Sequence, residues 1–420
     1  MQTKGALRLF IIEFNSAGGL IHYAYQLASA LTNQGITTTL ITGRDYELDR
    51  YPHNFKVEKR LNVWPVFDAT RSFDPTMPLT KRLAMKLFRV LRRILRGGRL
   101  IVEWARLTRY LLKEKPDIVQ FGEIKFMLLE GIFLFCLRRA GLIVTQICHE
   151  FEARESRIKN CGAIDKLHRV LFDNFSAIFF LADENRKRFI GRFHYPASNC
   201  HLIAHGNEEM FLAAAAQIAP QEDLKKYYQV TDGEPVVLFF GRITPSKGVP
   251  DLIEAFSLIR DRHTAKLIIA GYPSKHVDME ALNRQIERYK LAQNVTVDAR
   301  YIPIGSVAPL MRLADVVVLP YRSSSQSGAL QLAYTFGRPV IATTTGGLPE
   351  VVNDGRSGFL VPPANPRQLA AKITTLLDSP SLAKRMGEYG KMLSKNRYDW
   401  QPIAEKILEI YTATLRRKGK

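Results

Sequence analysis

Residues 239–256 read FFGRITPSKGVPDLIEAF and carry the strongest structural signal in the chain. An apolar run ends at Gly241, a short loop carries Arg242 and Lys247, and an amphipathic segment follows. A buried strand that leads through such a loop into a helix is typical of parallel α/β sheets. Two permanent cations at the turn, beside a helix N-terminus, suit a diphosphate; a solvated surface loop is the alternative. The spacing is not that of a P-loop, which reads G-x-x-x-x-G-K-[ST].

Similar units extend on both sides of this stretch, in two series. Runs rich in Val, Ile, Leu and Phe alternate with longer amphipathic segments, which predicts βαβ units. The predicted strands are 7–12, 38–42, 117–121, 143–148 and 177–181 in the first series, and 236–240, 266–270, 295–297, 316–319, 340–342 and 359–361 in the second. Residues 207–235 lie between the series and are predicted to connect two domains. We therefore expect two doubly wound α/β domains, with ligands bound at the carboxyl ends of their strands.

Length and composition agree with two globular domains. The chain has 420 residues, 46% of them apolar, which is too many for one compact core. The four cysteines form no C-x-x-C pair and have no histidine at metal-ligand spacing, which argues against zinc and disulfides and favours a reducing cytoplasm. Residues 1–14 predict a first strand rather than a secretory signal. Residues 126–137 are apolar but too few to span a bilayer, and they predict a buried helix.

A second long motif supports a particular family. Residues 314–361 read ADVVVLPYRSSSQSGALQLAYTFGRPVIATTTGGLPEVVNDGRSGFLV. Together with residues 239–256, this segment resembles the donor-binding half of family 4 glycosyltransferases, which are retaining enzymes that use nucleotide-sugar donors. The positions that match the family pattern in the second segment are Gly337, Pro339, Val340, Gly346, Gly347, Glu350, Gly355, Gly358 and Leu360. The resemblance implies a GT-B fold, in which two Rossmann-like domains face each other across a cleft.

The resemblance also implies roles for the first motif. Arg242 and Lys247, which follow Gly241, would bind the donor pyrophosphate and stabilise the leaving nucleoside diphosphate. Preorganised cations lower a barrier when negative charge builds up in the transition state. Because these cations can take the place of a divalent metal, we expect no metal and no cofactor.

The chain departs from the family pattern at two positions. Where the family has two glutamates separated by seven residues, this sequence has Ser324 and Leu332, so both carboxylates are missing. In the family the first glutamate contacts the donor sugar and the second contacts the nucleotide ribose. Some relatives instead carry Gln-Ser-Gly here, as Gln326, Ser327 and Gly328 do, and the amides before this predicted helix would bind the donor. The identity of the donor sugar therefore stays open, and so does a weakly active or differently specific enzyme.

Two motifs in the first series complete the predicted cleft. Gly18 and Gly19 lie at a strand-to-helix turn, where glycine permits close approach of the backbone to a ligand. The resemblance implies that they face the donor phosphates, and that His149 contacts the donor sugar near its reacting carbon. For both motifs a purely structural role is the alternative. Residues 205–207, His-Gly-Asn, resemble the family's Asn-Gly segment at the end of the first domain, either as a turn or as a ligand contact.

A basic segment lies outside these motifs. Residues 81–99 contain eight Lys or Arg and no acid, within a chain of net charge +20. On a helical wheel the apolar residues other than Met85 take one face, and five cations share the opposite one: Arg82, Lys86, Arg89, Arg93 and Arg96. We expect Gly97 and Gly98 to end this helix. A cationic amphipathic helix suits an anionic membrane surface; a surface helix packed on its own domain is the alternative. Nucleic-acid binding would use similar charge, but the sequence has no recognised nucleic-acid motif.

These features predict a retaining hexosyltransferase. It would move a sugar from a nucleotide-sugar donor to a glycan or lipid-linked acceptor in bacterial surface polysaccharide synthesis, on the cytoplasmic face of the membrane. The predicted domains are 1–207 for the acceptor and 208–395 for the donor, with a helix at 396–420 that crosses back to the first domain. Three alternatives stay open: a non-catalytic sugar-nucleotide-binding protein, a nucleotide-sugar epimerase and a nucleic-acid-binding protein.

Overall fold

A computed structural model describes residues 7–62, 79–124, 127–151, 162–217 and 224–419. The side chains of residues 79–94, 96, 127–128, 163–164 and 214–217 lie outside this description. The charged face predicted for residues 81–96 therefore consists of side chains that are not described. Cys161 also lies outside the described residues.

The first domain is built on a seven-stranded parallel sheet with the strand order β3-β2-β1-β4-β5-β6-β7. Helices connect most of the strands, as parallel pairing requires. Its elements are β1 (Arg8–Ile12), α1 (Gly19–Asn33), β2 (Thr37–Gly43), β3 (Lys56–Leu61), α2 (Leu79–Glu114), β4 (Ile118–Phe121), α3 (Met127–Arg139), β5 (Ile143–Cys148), α4 (Gly162–Phe172), β6 (Ala177–Phe180), α5 (Asp183–Phe193) and β7 (Cys200–Leu202).

The second domain is built on a six-stranded parallel sheet with the order β10-β9-β8-β11-β12-β13. Its elements are α6 (Met210–Gln217), α7 (Leu224–Tyr227), β8 (Val236–Phe240), α8 (Val249–Ser257), β9 (Lys266–Ala270), α9 (Met279–Arg288), β10 (Val295–Asp298), α10 (Ile304–Leu313), β11 (Val316–Leu319), α11 (Gly328–Thr335), β12 (Val340–Thr343), α12 (Leu348–Val351), β13 (Gly358–Val361), α13 (Pro366–Asp378) and α14 (Pro380–Asn396). The last helix, α15 (Trp400–Arg417), follows.

The predicted α/β fold with two Rossmann-like sheets is confirmed. In each sheet the strand order reverses beside the first strand, between β1 and β4 and between β8 and β11. Loops at such switch points open a crevice at the carboxyl ends of the strands. The motifs quoted above follow β1, β8 and β11, and each therefore lies at a switch point.

The prediction that Gly97 and Gly98 end the basic helix was wrong. Helix α2 runs through both glycines to Glu114. Two glycines in a helix cost about 1 kcal/mol each relative to alanine. The buried residues Trp104 and Leu107 lie beyond them on the same helix and pack in the core of the first domain, which offsets this cost.

The prediction of a buried helix over residues 126–137 was partly wrong. Helix α3 forms there, but Ile132 is 61% exposed and Phe135 is 49% exposed, while Leu134 and Leu137 are buried. One face of α3 therefore packs on the sheet and the other presents apolar side chains to solvent. No helix in the described part of the chain is both long and apolar enough to span a bilayer.

The C-terminal helix packs on the first domain. Helix α15 lies against α1, and the buried Tyr411 hydroxyl donates a hydrogen bond to Gln120 Oε1 on β4 at 2.8 Å. The chain thus leaves the first domain near Asn207 and comes back to it at Trp400, whose Nε1 donates to the Asn207 carbonyl at 2.9 Å.

Candidate functional site

The loop after β8 is anchored by close packing of glycines. Gly241 has φ 131° and donates its amide to the Ala270 carbonyl at 3.0 Å. A Cβ on Gly271 would lie 2.0 Å from the Gly241 carbonyl oxygen, so no side chain fits there. The backbone that leads into Arg242 is therefore fixed by the end of β9, and the Arg242 side chain is exposed.

Lys247 meets the loop after β11. Its Nζ lies 3.4 Å from the ring centroid of Tyr321, in a cation–π contact, and the Tyr321 hydroxyl lies 3.0 Å from Ser327 Oγ. Gly248 makes this approach possible, because it has φ 65° and a Cβ on it would lie 1.9 Å from the Pro320 carbonyl oxygen. The structure thus brings Lys247 and Ser327, which are far apart in the sequence, to one side of the crevice.

An ion pair fixes the two loops to each other. Arg322 Nε and Nη2 contact the two carboxylate oxygens of Asp251 at 2.7 and 2.6 Å. The Arg322 amide also donates to the Ser246 carbonyl at 2.8 Å. Bidentate arginine–carboxylate pairs add geometric precision as well as energy. Sequence reasoning missed this pair, which positions Lys247 through Ser246.

Helix α11 begins at the predicted Ser-Gly pair, and the residues at the positions of the two missing glutamates are both buried. Ser324 is buried, and its Oγ donates to the Gln326 carbonyl at 3.0 Å, which stabilises the loop. Leu332 is buried in the apolar core. A Cβ on Gly328 would lie 3.4 Å from Glu208 Oε1, so a carboxyl group lies directly beside the first turn of α11.

Gly18 and Gly19 lie at the N-terminus of α1 in the first domain. Gly18 has φ 85° and precedes α1 without a side-chain cap. Its amide donates to Glu47 Oε2 at 2.8 Å. A Cβ on Gly19 would meet no atom within 4 Å, so the space beside this glycine is open.

His149 lies next to an aromatic cluster at the end of β5. Its ring packs edge-on against Tyr23 at a centroid distance of 4.9 Å, and Tyr23 also contacts His205 and Trp400, each at 5.1 Å. Burial, together with the nearby His205, lowers the pKa of His149 to about 3. His149 is therefore neutral at physiological pH, and it can form a hydrogen bond to a sugar but cannot supply a charge.

His205 and Glu208 form a polar group where the two domains join. His205 Nδ1 lies 2.9 Å from the Gly206 carbonyl, which can only accept, so Nδ1 carries the hydrogen and Nε2 is the acceptor. Burial lowers the pKa of His205 to about 4. Burial raises the pKa of Glu208 to about 8, even though Gln26 Nε2 donates to its Oε2 at 2.9 Å. The sequence pattern indicated His205 only weakly and did not indicate Glu208.

Comparison with known proteins identifies the second domain. Residues 234–379 match the family described as "Glycosyl transferases group 1". These residues belong to the group 1 glycosyl transferase family. The group 1 segment contains Arg242, Lys247, Ser327 and Gly328, for which the sequence predicts a role in donor binding.

Relatives of known name align over part of the chain. Alpha-D-kanosaminyltransferase of Streptomyces kanamyceticus is 29% identical over 237 residues, which are 56% of this chain and 60% of that protein. D-inositol 3-phosphate glycosyltransferase of Segniliparus rotundus is 35% identical over 185 residues, which are 44% of this chain and 41% of that protein. The chain thus spans about half the length of the curated relatives it matches.

A solved structure shows the fold over nearly the whole chain. Anabaena HepE, crystallised in complex with UDP-glucose, matches with a TM-score of 0.72 at 18% identity, over 97% of this chain and 100% of HepE. At this identity the likeness shows the GT-B architecture. The group 1 segment is therefore the second half of a GT-B protein.

The group 1 segment also contacts the first domain directly across the cleft. The Glu350 carboxylate accepts the backbone amides of Asp183 and Glu184, both at 2.8 Å. These amides open α5, whose N-cap, Ala182, has no side-chain acceptor. Glu350 thus caps a helix of the other domain, and the amides of a helix N-terminus favour such an anion. Sequence reasoning placed Glu350 in the family pattern but did not predict this contact.

Proposed function

We propose that the protein is a retaining glycosyltransferase that moves a hexose from a nucleotide-sugar donor to a glycan or lipid-linked acceptor. One observation carries this proposal. The group 1 segment holds Arg242 and Lys247 on the loop after β8, and Tyr321 joins Lys247 to Ser327 at the start of α11, beside the switch point of its sheet. Relatives named as glycosyltransferases and the UDP-glucose in HepE support a nucleotide-sugar donor.

In the proposed mechanism the cations act on the leaving group. The donor diphosphate lies between Gly18 and Gly19 on one side and Arg242 and Lys247 on the other. As the glycosidic bond breaks, negative charge moves onto the phosphate, and the two fixed cations stabilise it. These cations supply the charge that a divalent metal would otherwise supply, so the proposed reaction uses no metal.

His149 has a positioning role in this proposal. Because its pKa is lowered to about 3, the neutral ring hydrogen-bonds a sugar hydroxyl near the reacting carbon. We assign no protein nucleophile or general base. The acceptor attacks on the face from which the diphosphate leaves, and the leaving phosphate takes the acceptor proton, which gives retention.

A second candidate is a non-catalytic sugar-nucleotide-binding protein on the same fold. The burial of Leu332 in the core favours it, because a carboxylate would contact the ribose at this position in the resembled family. The two candidates differ in turnover. The transferase releases nucleoside diphosphate when an acceptor is present, whereas the binding protein binds the donor and releases none.

The experiment has two steps. Thermal shift with UDP, GDP, ADP, CMP and their sugar conjugates identifies the donor, because a ligand of the native state raises its melting temperature. Transfer is then measured for Arg242→Ala and Lys247→Ala, with Arg284→Ala on the exposed face of α9 as the control. We expect loss of transfer in the first two variants and wild-type transfer in the control. Wild-type transfer in Arg242→Ala and Lys247→Ala would refute the proposed diphosphate clamp, that is, stabilisation of the leaving diphosphate by these two cations.

We further propose that the enzyme works on the cytoplasmic face of a bacterial membrane, in surface polysaccharide synthesis. The basic residues 81–99 suit an anionic lipid surface. Apolar side chains exposed on nearby helices also support the membrane proposal. Of the ten large apolar side chains exposed in the described ranges, seven lie on α2, α3 and α4, where α3 contacts both of the other helices: Leu95, Ile101, Val102, Ile132, Phe135, Leu167 and Val170. Apolar side chains beside cations are the composition of an interfacial surface.

Sedimentation with liposomes tests the membrane proposal. Replacement of Arg82, Lys86, Arg89 and Arg93 by Gln should reduce binding to vesicles with 30% phosphatidylglycerol, on the order of 1 kcal/mol per cation. Ile132→Ser should reduce binding further, whereas Leu258→Ser, on the exposed surface of the second domain, should not. Equal sedimentation of all these variants would refute membrane docking by this surface.

A further inference from the structure

The carboxylate of Glu47 occupies the N-terminus of α1. Glu47 follows β2, and its Oε2 accepts the Gly18 amide at 2.8 Å and contacts His22 Nε2 at 3.0 Å. Its Oε1 accepts the hydroxyl of Tyr301. Three polar groups therefore converge on one carboxylate at the N-terminus of α1.

Tyr301 belongs to the group 1 segment, just after β10, so this contact joins the two domains. Burial alone would raise the pKa of Glu47, but the bonds from His22, Tyr301 and Gly18 hold that pKa below its ordinary value. Glu47 is therefore an anion at neutral pH. An anion at this position also faces the positive end of the α1 dipole.

We propose that Glu47 is an internal competitor of the donor diphosphate, held on the Gly18 amide by Tyr301 until the diphosphate displaces it. The inference rests on the proposed function, which puts the donor phosphates against Gly18 and Gly19. One amide cannot serve two anions, and like charges at such close range repel each other. Glu47 therefore makes donor binding weaker than the same glycines and cations would make it alone. Donor binding also releases the Tyr301 contact between the domains.

Isothermal titration calorimetry on the full chain tests this competition. The probes are UDP, GDP, ADP and inorganic pyrophosphate, the last of which does not depend on the base. Glu47→Gln keeps the shape of the side chain and an acceptor for Gly18, but removes the charge. We expect its dissociation constant for the best probe to fall about tenfold. Tyr301→Phe removes the hydroxyl that joins Glu47 to the second domain, and we expect a fall of about threefold.

Asp49→Asn is the matched control. Asp49 is an exposed acid two residues along the same loop and pairs with Lys59 at 2.9 Å rather than with Gly18. The substitution changes the local net charge by the same amount as Glu47→Gln. Because water screens the exposed Asp49 carboxylate, its loss should have almost no effect on diphosphate affinity. We expect wild-type affinity in this variant.

The outcomes distinguish failure of the competition by Glu47 from failure of the proposed function. Weaker or unchanged binding in Glu47→Gln, alongside wild-type binding in Asp49→Asn, would show that Glu47 only supports the structure, and the competitor would be excluded. Tighter binding in Glu47→Gln together with wild-type binding in Arg242→Ala would keep the competitor and exclude the proposed clamp. No binding of any probe to any of these proteins would overturn both.

Discussion

Glu208 should make the stability of this protein fall between pH 5 and pH 8. The residue is 5% exposed, and burial raises its pKa from 4.5 to about 8. Between these two values the folded state holds a proton that the unfolded state has lost. When the native state binds more protons than the unfolded state, stability decreases as the pH rises. The decrease should begin near pH 4.5 and level off above pH 8.

The magnitude follows from the same shift. Each pKa unit is worth about 1.4 kcal/mol. A pH of 7 lies about 2.5 units above the ordinary pKa of an unfolded glutamate, so keeping Glu208 protonated in the folded state costs about 3 kcal/mol. Glu208→Gln removes this cost, because glutamine resembles the protonated acid and still accepts the bond from Gln26. The variant should equal wild type in stability near pH 4.5 and exceed it by about 3 kcal/mol at pH 7.

Urea unfolding followed by circular dichroism at pH 5, 6, 7 and 8 measures this difference. The advantage of Glu208→Gln over wild type should grow by about 1.4 kcal/mol per pH unit up to pH 7. Glu209→Gln, at the exposed neighbouring position, should follow the wild-type curve. Parallel curves for wild type and Glu208→Gln would show that Glu208 is ionised in the folded state and would refute the reasoning.

Three other substitutions test the junction and the loops. Gly206→Ala should lower the melting temperature by several degrees, because its Cβ would lie 2.1 Å from Trp400; calorimetry measures it, and an unchanged melting temperature would contradict the packing. Asp251→Asn should weaken diphosphate binding about tenfold, because Arg322 loses its bidentate partner and the Lys247 loop loosens; titration calorimetry measures this, and wild-type affinity would contradict it. Glu350→Ala should speed amide exchange at the start of α5 and cost about 1 kcal/mol, and hydrogen exchange that matches wild type there would exclude the cap.

The sheets were readable from the sequence because their central strands are continuous apolar runs. Each predicted strand is present, with ends within one residue. The two missed strands, β3 and β7, are the edges of the first sheet. Strand β3 reads KVEKRL, with four charges, and β7 has three residues. Edge strands face water and are often short and charged, so they do not show the apolar signal.

The candidate site residues could be predicted from the sequence only where they belong to one short motif. Arg242, Lys247 and Gly328 lie in segments whose spacing is characteristic, and the fold brings two of these segments together through Tyr321. Tyr301, which contacts Glu47, and Asp183, which contacts Glu350, each lie more than 160 residues from that glutamate and in the other domain. No periodicity or spacing encodes such a pair, because it depends on how the two sheets approach each other.

The path of α15 has a consequence for domain exchange. The helix follows the second domain in the chain, yet its Tyr411 is bonded to β4 of the first domain. A chimaera made with one junction at Asn207 would give the first domain a foreign C-terminal helix, and would leave Gln120 without its native bond from Tyr411. Two junctions, one at Asn207 and one just before Trp400, would instead exchange the second domain as a single insert. Specificity grafts between relatives of this protein should therefore be built as insertions rather than as fusions.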